Sequence, residues 1–174
     1  MIGAGFVNTP RNTATVWMFS SKNRGRTWQK RPLRLDPRRA KHAAYMLPPA
    51  IGGPKAGQLA VGYFRTTNGV IDPNSSAGKW TYSTAESANA NSSTPTFTYS
   101  DVRPGTTYHS GQICNAGILC GLPGEPSDRS LLDFTSVTLD PHACPVFVFA
   151  GNTPRSEAKF QTWNFVTRQT SACF

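Results

Sequence analysis

The chain has 174 residues, of which 38% are hydrophobic and 16% are charged. This length supports one domain with a substantial core, and this composition excludes a disordered polyampholyte. Glycine (15 residues) and proline (14 residues) are frequent, and no apolar run approaches the roughly 20 residues that cross a bilayer. Frequent turn formers with abundant Ser and Thr predict an all-β fold of many short strands and no membrane-spanning segment.

The net charge of +9 is concentrated in the first part of the chain. Residues 1–41 hold ten of the eighteen Lys and Arg residues and one acid, Asp36. Such a basic segment can attract phosphate or anionic glycans, although solvated charges on turns are the simpler interpretation. The basic residues are not interleaved with the several aromatic side chains on which single-strand binders stack bases. The sequence therefore disfavours nucleic acid as a partner.

In chain order, the first predicted element is a hairpin. The run "TATVWMFSS" (13–21) reads as a strand, and "RTWQKRPL" (26–33) reads as its partner after a glycine-containing turn. A Pro- and Arg-rich connection follows. Apolar alternation then predicts strands over 58–64, 79–87 and 96–102.

The remaining elements follow a long predicted loop. Residues 103–127 are rich in Gly, Pro and Cys and are expected to form an elaborate surface loop. "SLLDFTSVTLDP" (130–141) and "CPVFVFAG" (144–151) predict a second hairpin that turns at "DPHA". "KFQTWNFVTRQTS" (159–171) predicts the last strand. The tryptophans of these strands, Trp17, Trp80 and Trp163, are expected to pack in the core or between neighbouring sheets, and the alternative is that they stack on sugars.

The turn of the first hairpin carries the pattern S-x-N-x-G-x-T-W, formed by Ser21, Asn23, Gly25, Thr27 and Trp28. Short polar side chains can hydrogen-bond to the backbone groups that a tight turn leaves unpaired. Gly25 permits a positive φ angle, and Trp28 is expected to pack beneath the turn. A degenerate echo of the pattern follows at Ser87, Asn89, Thr96 and Phe97. The pattern therefore predicts a turn whose backbone hydrogen bonds are made by its own side chains, and by itself it assigns these residues a structural role.

This pattern resembles the Asp-box, the repeat of bacterial neuraminidases, with Asn23 in place of the usual Asp. "HSGQICNAGILC" and "DRSLLDFTSVTLDP" also look like parts of the exo-sialidase-like Asp-box family. The resemblance implies a sialidase-type β-propeller of about six blades, of which 174 residues can build about three. The whole chain, 1–174, would then be the C-terminal half of a propeller, or a truncated gene product, with blades at 13–57, 58–127 and 128–174.

The resemblance also implies a function. Sialidases of this fold grip the substrate carboxylate with three arginines and use a Tyr/Glu pair and an acid/base Asp, a set that this chain does not complete. We therefore favour a non-catalytic, exported module that is glycan-binding or structural. The alternative is a fragment of an exo-α-sialidase, a glycoside hydrolase of terminal sialic acids. Expected partners are glycans or other acidic carbohydrates and the missing N-terminal blades, with no cofactor.

The best candidate ligand-facing residues lie at the entrance to a predicted inner strand. Arg129, with Asp128 and Asp133, could meet an anion there, or it could form an Arg–Asp pair that only satisfies the loop. His109 is a candidate ligand or general base. Its alternative is a loop histidine that hydrogen-bonds to the backbone.

The four cysteines bear on the compartment. Cys114 and Cys120 lie six residues apart in a glycine-flanked loop, which suits a small disulfide-closed loop in an exported protein. Their C-x5-C spacing does not match a zinc knuckle, so we expect no metal. Whether Cys144 and Cys173 pair is left open. The sequence start lacks a signal peptide, so either the protein stays inside the cell or, as we favour, it is part of a longer secreted precursor.

Overall fold

The protein is described from a computed structural model. The structure describes residues 2–8 (backbone only), 14–35, 43, 45–114, 117–124, 128–131, 134–152, 162–170 and 173–174. Their strands are β1 (Ile2–Asn8), β2 (Ala14–Ser20), β3 (Leu33–Arg34), β4 (Tyr45–Met46), β5 (Ala50–Gly52), β6 (Leu59–Thr66), β7 (Lys79–Ser87), β8 (Thr98–Asp101), β9 (His109–Ser110), β10 (Thr135–Leu139), β11 (Pro145–Gly151) and β12 (Trp163–Arg168). One short 3₁₀ helix, Gly117–Leu119, joins them. The all-β prediction is confirmed.

The strands form three antiparallel sheets, and none of these sheets closes on itself. The first sheet has the order β1-β2-β3, and the third has the order β10-β11-β12. The second, larger sheet has the order β4-β6-β7-β8, with β5 also paired to β6 and β9 also paired to β7. Because β4 and β5 belong to this sheet, a blade boundary at residue 57 would fall inside it. The propeller itself stays a prediction.

The first sheet differs from the predicted hairpin in two ways. Strand β1 was not anticipated, yet it pairs with β2 along its whole length, from Ile2 opposite Ser20 to Asn8 opposite Ala14. The predicted second strand over 26–33 is wrong, because only Leu33–Arg34 pairs with β2. Side-chain hydrogen bonds hold most of the residues between as an irregular loop, as described below.

The second sheet forms the middle layer because β6 is buried along its entire length. Ala60 and Phe64 point into a core that includes Phe147 and Phe149 of β11. The residues at the alternate positions of β6, Leu59, Val61 and Tyr63, point into a second core with Val16 and Met18 of β2. Alternate side chains of one strand thus serve two cores, as the period of two in a strand requires.

The core against the third sheet is largely aromatic. The rings of Tyr82 and Phe149 stack with centroids 3.9 Å apart, and Phe64 meets both rings edge-on. Gly62 permits this packing, because a Cβ at that position would lie 2.3 Å from the Tyr82 hydroxyl oxygen and 2.8 Å from the ring of Phe147 in β11. The missing side chain therefore lets the third sheet approach the second closely.

Two tryptophans contradict the prediction that they pack in the interior. Trp28 is 44% exposed and Trp163 is 55% exposed, whereas Trp80 is fully buried as expected. Trp28 lacks a cover because the strand predicted after the turn does not form. Trp163 is the first residue of the edge strand β12, where Gly151 lies opposite it.

Within the described ranges, no helix is long and apolar enough to span a membrane.

Candidate functional site

The first S-x-N-x-G-x-T-W turn is held together by its own side chains. The Ser21 hydroxyl oxygen accepts the backbone N–H of Gly25 at 2.8 Å. The Asn23 amide oxygen accepts the backbone N–H of Thr27 at 2.8 Å, and its amide nitrogen donates to the Thr27 hydroxyl at 2.8 Å. Arg24 and Gly25 both have positive φ angles, 58° and 85°. The polar positions of the pattern therefore lock the turn.

Gln29 fixes the far side of this loop to β2. Its backbone N–H donates to the carbonyl of Ser20 at 2.9 Å, and its amide nitrogen donates to the carbonyl of Met18 at 3.2 Å. The Ser20 hydroxyl donates back to the Gln29 side-chain oxygen at 2.7 Å. Gln29, rather than the exposed Trp28, anchors the loop.

The degenerate echo adopts a similar arrangement at the end of β7. The Ser87 hydroxyl accepts the N–H of Asn89 at 3.1 Å, and the Asn89 amide oxygen accepts the N–H of Thr96 at 2.9 Å. Six residues now separate Asn89 from Thr96, so the turn is longer. Phe97, at the position of the tryptophan, packs against the core next to the first sheet. The aromatic position therefore anchors the second loop although it does not anchor the first.

His109 is buried, with 2% of its side chain exposed, among groups from three loops. Its Nδ1 lies 3.0 Å from the Asn152 amide oxygen, and its Nε2 lies 2.9 Å from the Gln112 carbonyl. Asp128 lies 3.5 Å from Nε2, and its other oxygen accepts the N–H of Ser130. The structure thus brings two of the predicted site residues, His109 and Asp128, together, but it uses His109 to tie loops to one another.

The other two predicted site residues do not join this cluster. Arg129 is exposed, and its neighbour Asp128 contacts His109 instead. Asp133 lies outside the described residues. The disulfide between Cys114 and Cys120 is present, and the N–H of Cys114 donates to the carbonyl of Asp128. The cluster and the disulfide together fix the long loop before β10.

A separate feature, which we call the inter-sheet cleft, lies between the second and third sheets. Its volume is about 450 Å³, within the roughly 300–1,000 Å³ typical of small-molecule sites. Most of its walls are hydroxyl, amide and carboxyl side chains, with two phenylalanines. The lining includes Thr84, Glu86, Ser100, Phe147, Gln169 and Phe174.

Two of the charges that line the cleft are already neutralised. Asp101 accepts hydrogen bonds from Arg65 at 2.6 and 3.1 Å and from the Ser83 hydroxyl at 2.7 Å. Arg168 pairs with Asp140 at 2.5 Å. Hydrogen bonds from the backbone of Cys144, from Arg168 and from the backbone of His142 hold the pKa of Asp140 below its usual range. Neither pair presents a free charge to a ligand.

Glu86 is different from these pairs. Its carboxyl group is half-buried at the cleft wall, where it hydrogen-bonds with the Gln169 side chain, and burial raises its pKa. Among the described residues it forms no ion pair. Sequence reasoning missed Glu86, which shares its face of β7 with Trp80, Tyr82 and Thr84.

Searches of protein-family models, of curated proteins and of solved structures match this chain to none of them. The site must therefore be judged on its chemistry. Within the described ranges, no group of three or more His, Cys, Asp and Glu residues is arranged to hold a metal ion. The inter-sheet cleft, lined mainly by hydroxyl and amide groups with the carboxyl of Glu86 among them, is suited to bind a hydroxylated molecule.

The Glu86 carboxyl predicts a pH dependence of stability. Because its folded-state pKa is raised, its contribution favours folding below the ordinary value of 4.5 and is lost as pH rises through the folded-state pKa. Glu86→Gln, which keeps the shape without the charge, should therefore raise the melting temperature at pH 7 and leave it unchanged near pH 4. Thermal unfolding at both pH values measures this. A variant less stable than the wild type at pH 7 would show that the ionised carboxylate stabilises the fold.

Proposed function

We propose that this chain is a sialidase-like Asp-box propeller module of an exported protein, that it is non-catalytic, and that it binds glycans in the inter-sheet cleft. The observation that carries the proposal is the lining of the cleft. Hydroxyl and amide groups such as Thr84, Ser100 and Gln169 can exchange hydrogen bonds with sugar hydroxyls. Phe174, which is partly exposed, offers apolar surface to the face of a sugar ring, whereas Phe147, the other phenylalanine of the cleft, is 1% exposed and belongs to the core.

Two further observations support the propeller and the export. The side chains of Ser21 and Asn23 after β2, and those of Ser87 and Asn89 after β7, accept hydrogen bonds from backbone N–H groups of their loops. Cys144 pairs with Cys173 in addition to the Cys114–Cys120 bridge, and disulfides persist in oxidising compartments outside the cytosol.

The alternative, a fragment of an exo-α-sialidase, requires several arginines that converge on a substrate carboxylate. Among the described residues that line the cleft, the one arginine is Arg168, and Asp140 holds it. The cleft favours binding over sialoside hydrolysis for this reason.

The proposal is tested by filling the cleft. Ser100 lies on an exposed position of β8 inside the cleft, so Ser100→Trp should occupy it without disturbing the core. A panel of neutral mono- and disaccharides with sialyllactose is screened by calorimetry, and the tightest sugar is then titrated into both proteins. We expect about tenfold weaker binding in Ser100→Trp, since the ligand's contacts would be displaced.

The matched control is Thr138→Trp, which places the same ring on an exposed position of β10 outside the cleft. It should bind as the wild type does. Binding to no sugar of the panel, or equal binding by Ser100→Trp, would refute the cleft proposal. Turnover of a fluorogenic sialoside by the wild-type chain would replace it with the glycosidase alternative.

A further inference from the structure

The loop between β2 and β3 presents an exposed array of positive charge, which we call the basic loop (residues 21–32). Five cationic side chains in it are all exposed: Lys22, Arg24, Arg26, Lys30 and Arg31. Residues 14–35 contain no acid. Within the described part of the chain, none of the five cations forms an ion pair. Their charge therefore faces the solvent.

The loop divides its positions between two tasks. Ser21, Asn23 and Thr27 point into the turn and bond to it, whereas Lys22, Arg24 and Arg26 alternate with them and point outwards. Gln29 fastens the second half of the loop to β2. A loop held in this way displays its cations with little backbone entropy left to lose on binding, which favours affinity.

Trp28 completes the surface. Its large side chain lies beside the cations and is 44% exposed, so that much of the indole surface can contact a ligand. The flat apolar face of a pyranose ring fits on an indole, while sulfate or carboxylate groups of the same sugar chain meet guanidinium groups. A cationic loop with one exposed indole in its middle therefore matches an anionic polysaccharide.

We propose that the basic loop is a binding site for a linear anionic polysaccharide, in which the cations meet sulfate or carboxylate groups and Trp28 stacks on a sugar ring. The site is independent of the inter-sheet cleft, which lies on the opposite side of the second sheet. A single indole is not the multi-aromatic platform of single-strand nucleic-acid binders, nor the apolar face with which a peripheral segment enters a membrane. These two differences favour the polysaccharide.

The proposal is tested with a fluorescein-labelled heparin octasaccharide and fluorescence anisotropy, in a salt series from about 50 to 300 mM NaCl. The triple variant Lys22→Gln, Arg24→Gln, Arg26→Gln keeps the turn residues and removes three charges. We expect at least about tenfold weaker binding at 150 mM NaCl. The magnitude of the slope of log K against log salt should fall by about two. Each cation that contacts the polysaccharide displaces somewhat less than one counterion on binding, and the variant lacks three such cations.

The matched control removes three equally exposed charges elsewhere, in Lys55→Gln, Lys79→Gln, Arg103→Gln. Because both triples lower the net charge equally, non-specific attraction predicts the same loss in both. A local site predicts a loss in the loop triple alone, with less than about twofold change in the control. Equal loss in the two triples would overturn the proposal.

Trp28→Ala tests the stacking separately. We expect a several-fold loss of affinity with an unchanged salt slope, and no effect from Trp163→Ala, which removes an even more exposed indole from β12. Thermal unfolding confirms that each variant is folded. Tighter loop-dependent binding to a single-stranded RNA of equal charge, or to vesicles with anionic lipids, would overturn the assignment to a polysaccharide. A negative result in the cleft experiment does not bear on the proposal for the basic loop, because the two sites share no residue.

Discussion

Asp101→Ala should lower the free energy of unfolding by about 3 kcal/mol. Asp101 holds the guanidinium of Arg65 through two hydrogen bonds, at 2.6 and 3.1 Å, and the Arg65 side chain is 7% exposed. Removal of one partner of a buried pair leaves an uncompensated charge, which costs about 3–5 kcal/mol. The value at the lower end is expected because Asp101 is 25% exposed and water can partly replace it. Urea denaturation with an unchanged m-value measures the loss.

The double variant Arg65→Met, Asp101→Leu is the control for this explanation. Apolar replacement of both partners of a buried pair is often neutral or stabilising, because no charge remains to be desolvated. The double variant should therefore recover most of the stability that Asp101→Ala loses. A double variant as unstable as Asp101→Ala would mean that packing around Arg65, and not its charge, determines the effect. A single variant within about 0.5 kcal/mol of the wild type would contradict the prediction outright.

Loss of the Cys144–Cys173 disulfide should cost about 3–4 kcal/mol of unfolding free energy. The bridge closes a loop with a sequence separation of 29 residues, and the chain-entropy relation gives about this value for such a loop. It also ties the turn before β11 to Cys173 and Phe174, which form part of the cleft wall. Cys144→Ser, Cys173→Ser should therefore be less stable by denaturation and should also bind the cleft ligand more weakly.

The second disulfide supplies an internal comparison. Cys114–Cys120 spans six residues, for which the same relation gives about 2 kcal/mol. Cys114→Ser, Cys120→Ser should therefore be the milder of the two double variants and should leave the cleft intact. If the short-loop variant is the less stable one, strain or local contacts outweigh the chain entropy in this protein.

The sequence allowed three of the six strands of the second sheet to be predicted, β6, β7 and β8, whereas β4, β5 and β9 were missed. The predicted strand 79–87 has the bounds of β7, and 58–64 overlaps most of β6, because long apolar and β-branched runs leave few alternatives. The hairpin of β10 and β11 was also predicted, since turn residues separate two such runs. Strand β1 was missed because it is a short, glycine-containing segment whose sequence carries no strand pattern. Its pairing with β2 is what defines it as a strand.

The candidate sites were harder to predict than the strands. Turn chemistry is local, so the bonds of Ser21 and Asn23 follow from residues a few positions apart. The cleft joins Glu86 to Gln169, which meet because two sheets leave a gap where they pack. No pattern in the sequence predicts where such a gap between two packed sheets lies. The prediction that Trp28 packs beneath the turn was wrong for a related reason. Burial of its indole required a strand after the turn, and that strand does not form.

The position of β6 between the two cores has a consequence for how this chain can be divided. One strand supplies apolar side chains to both interiors, so neither outer sheet is a removable part. A truncation that deletes the first or the third sheet would leave half of the β6 side chains facing water. Such a fragment would expose a large apolar surface and an unprotected sheet face, the features that lead to aggregation. Recombination or engineering therefore has to transfer all three sheets together.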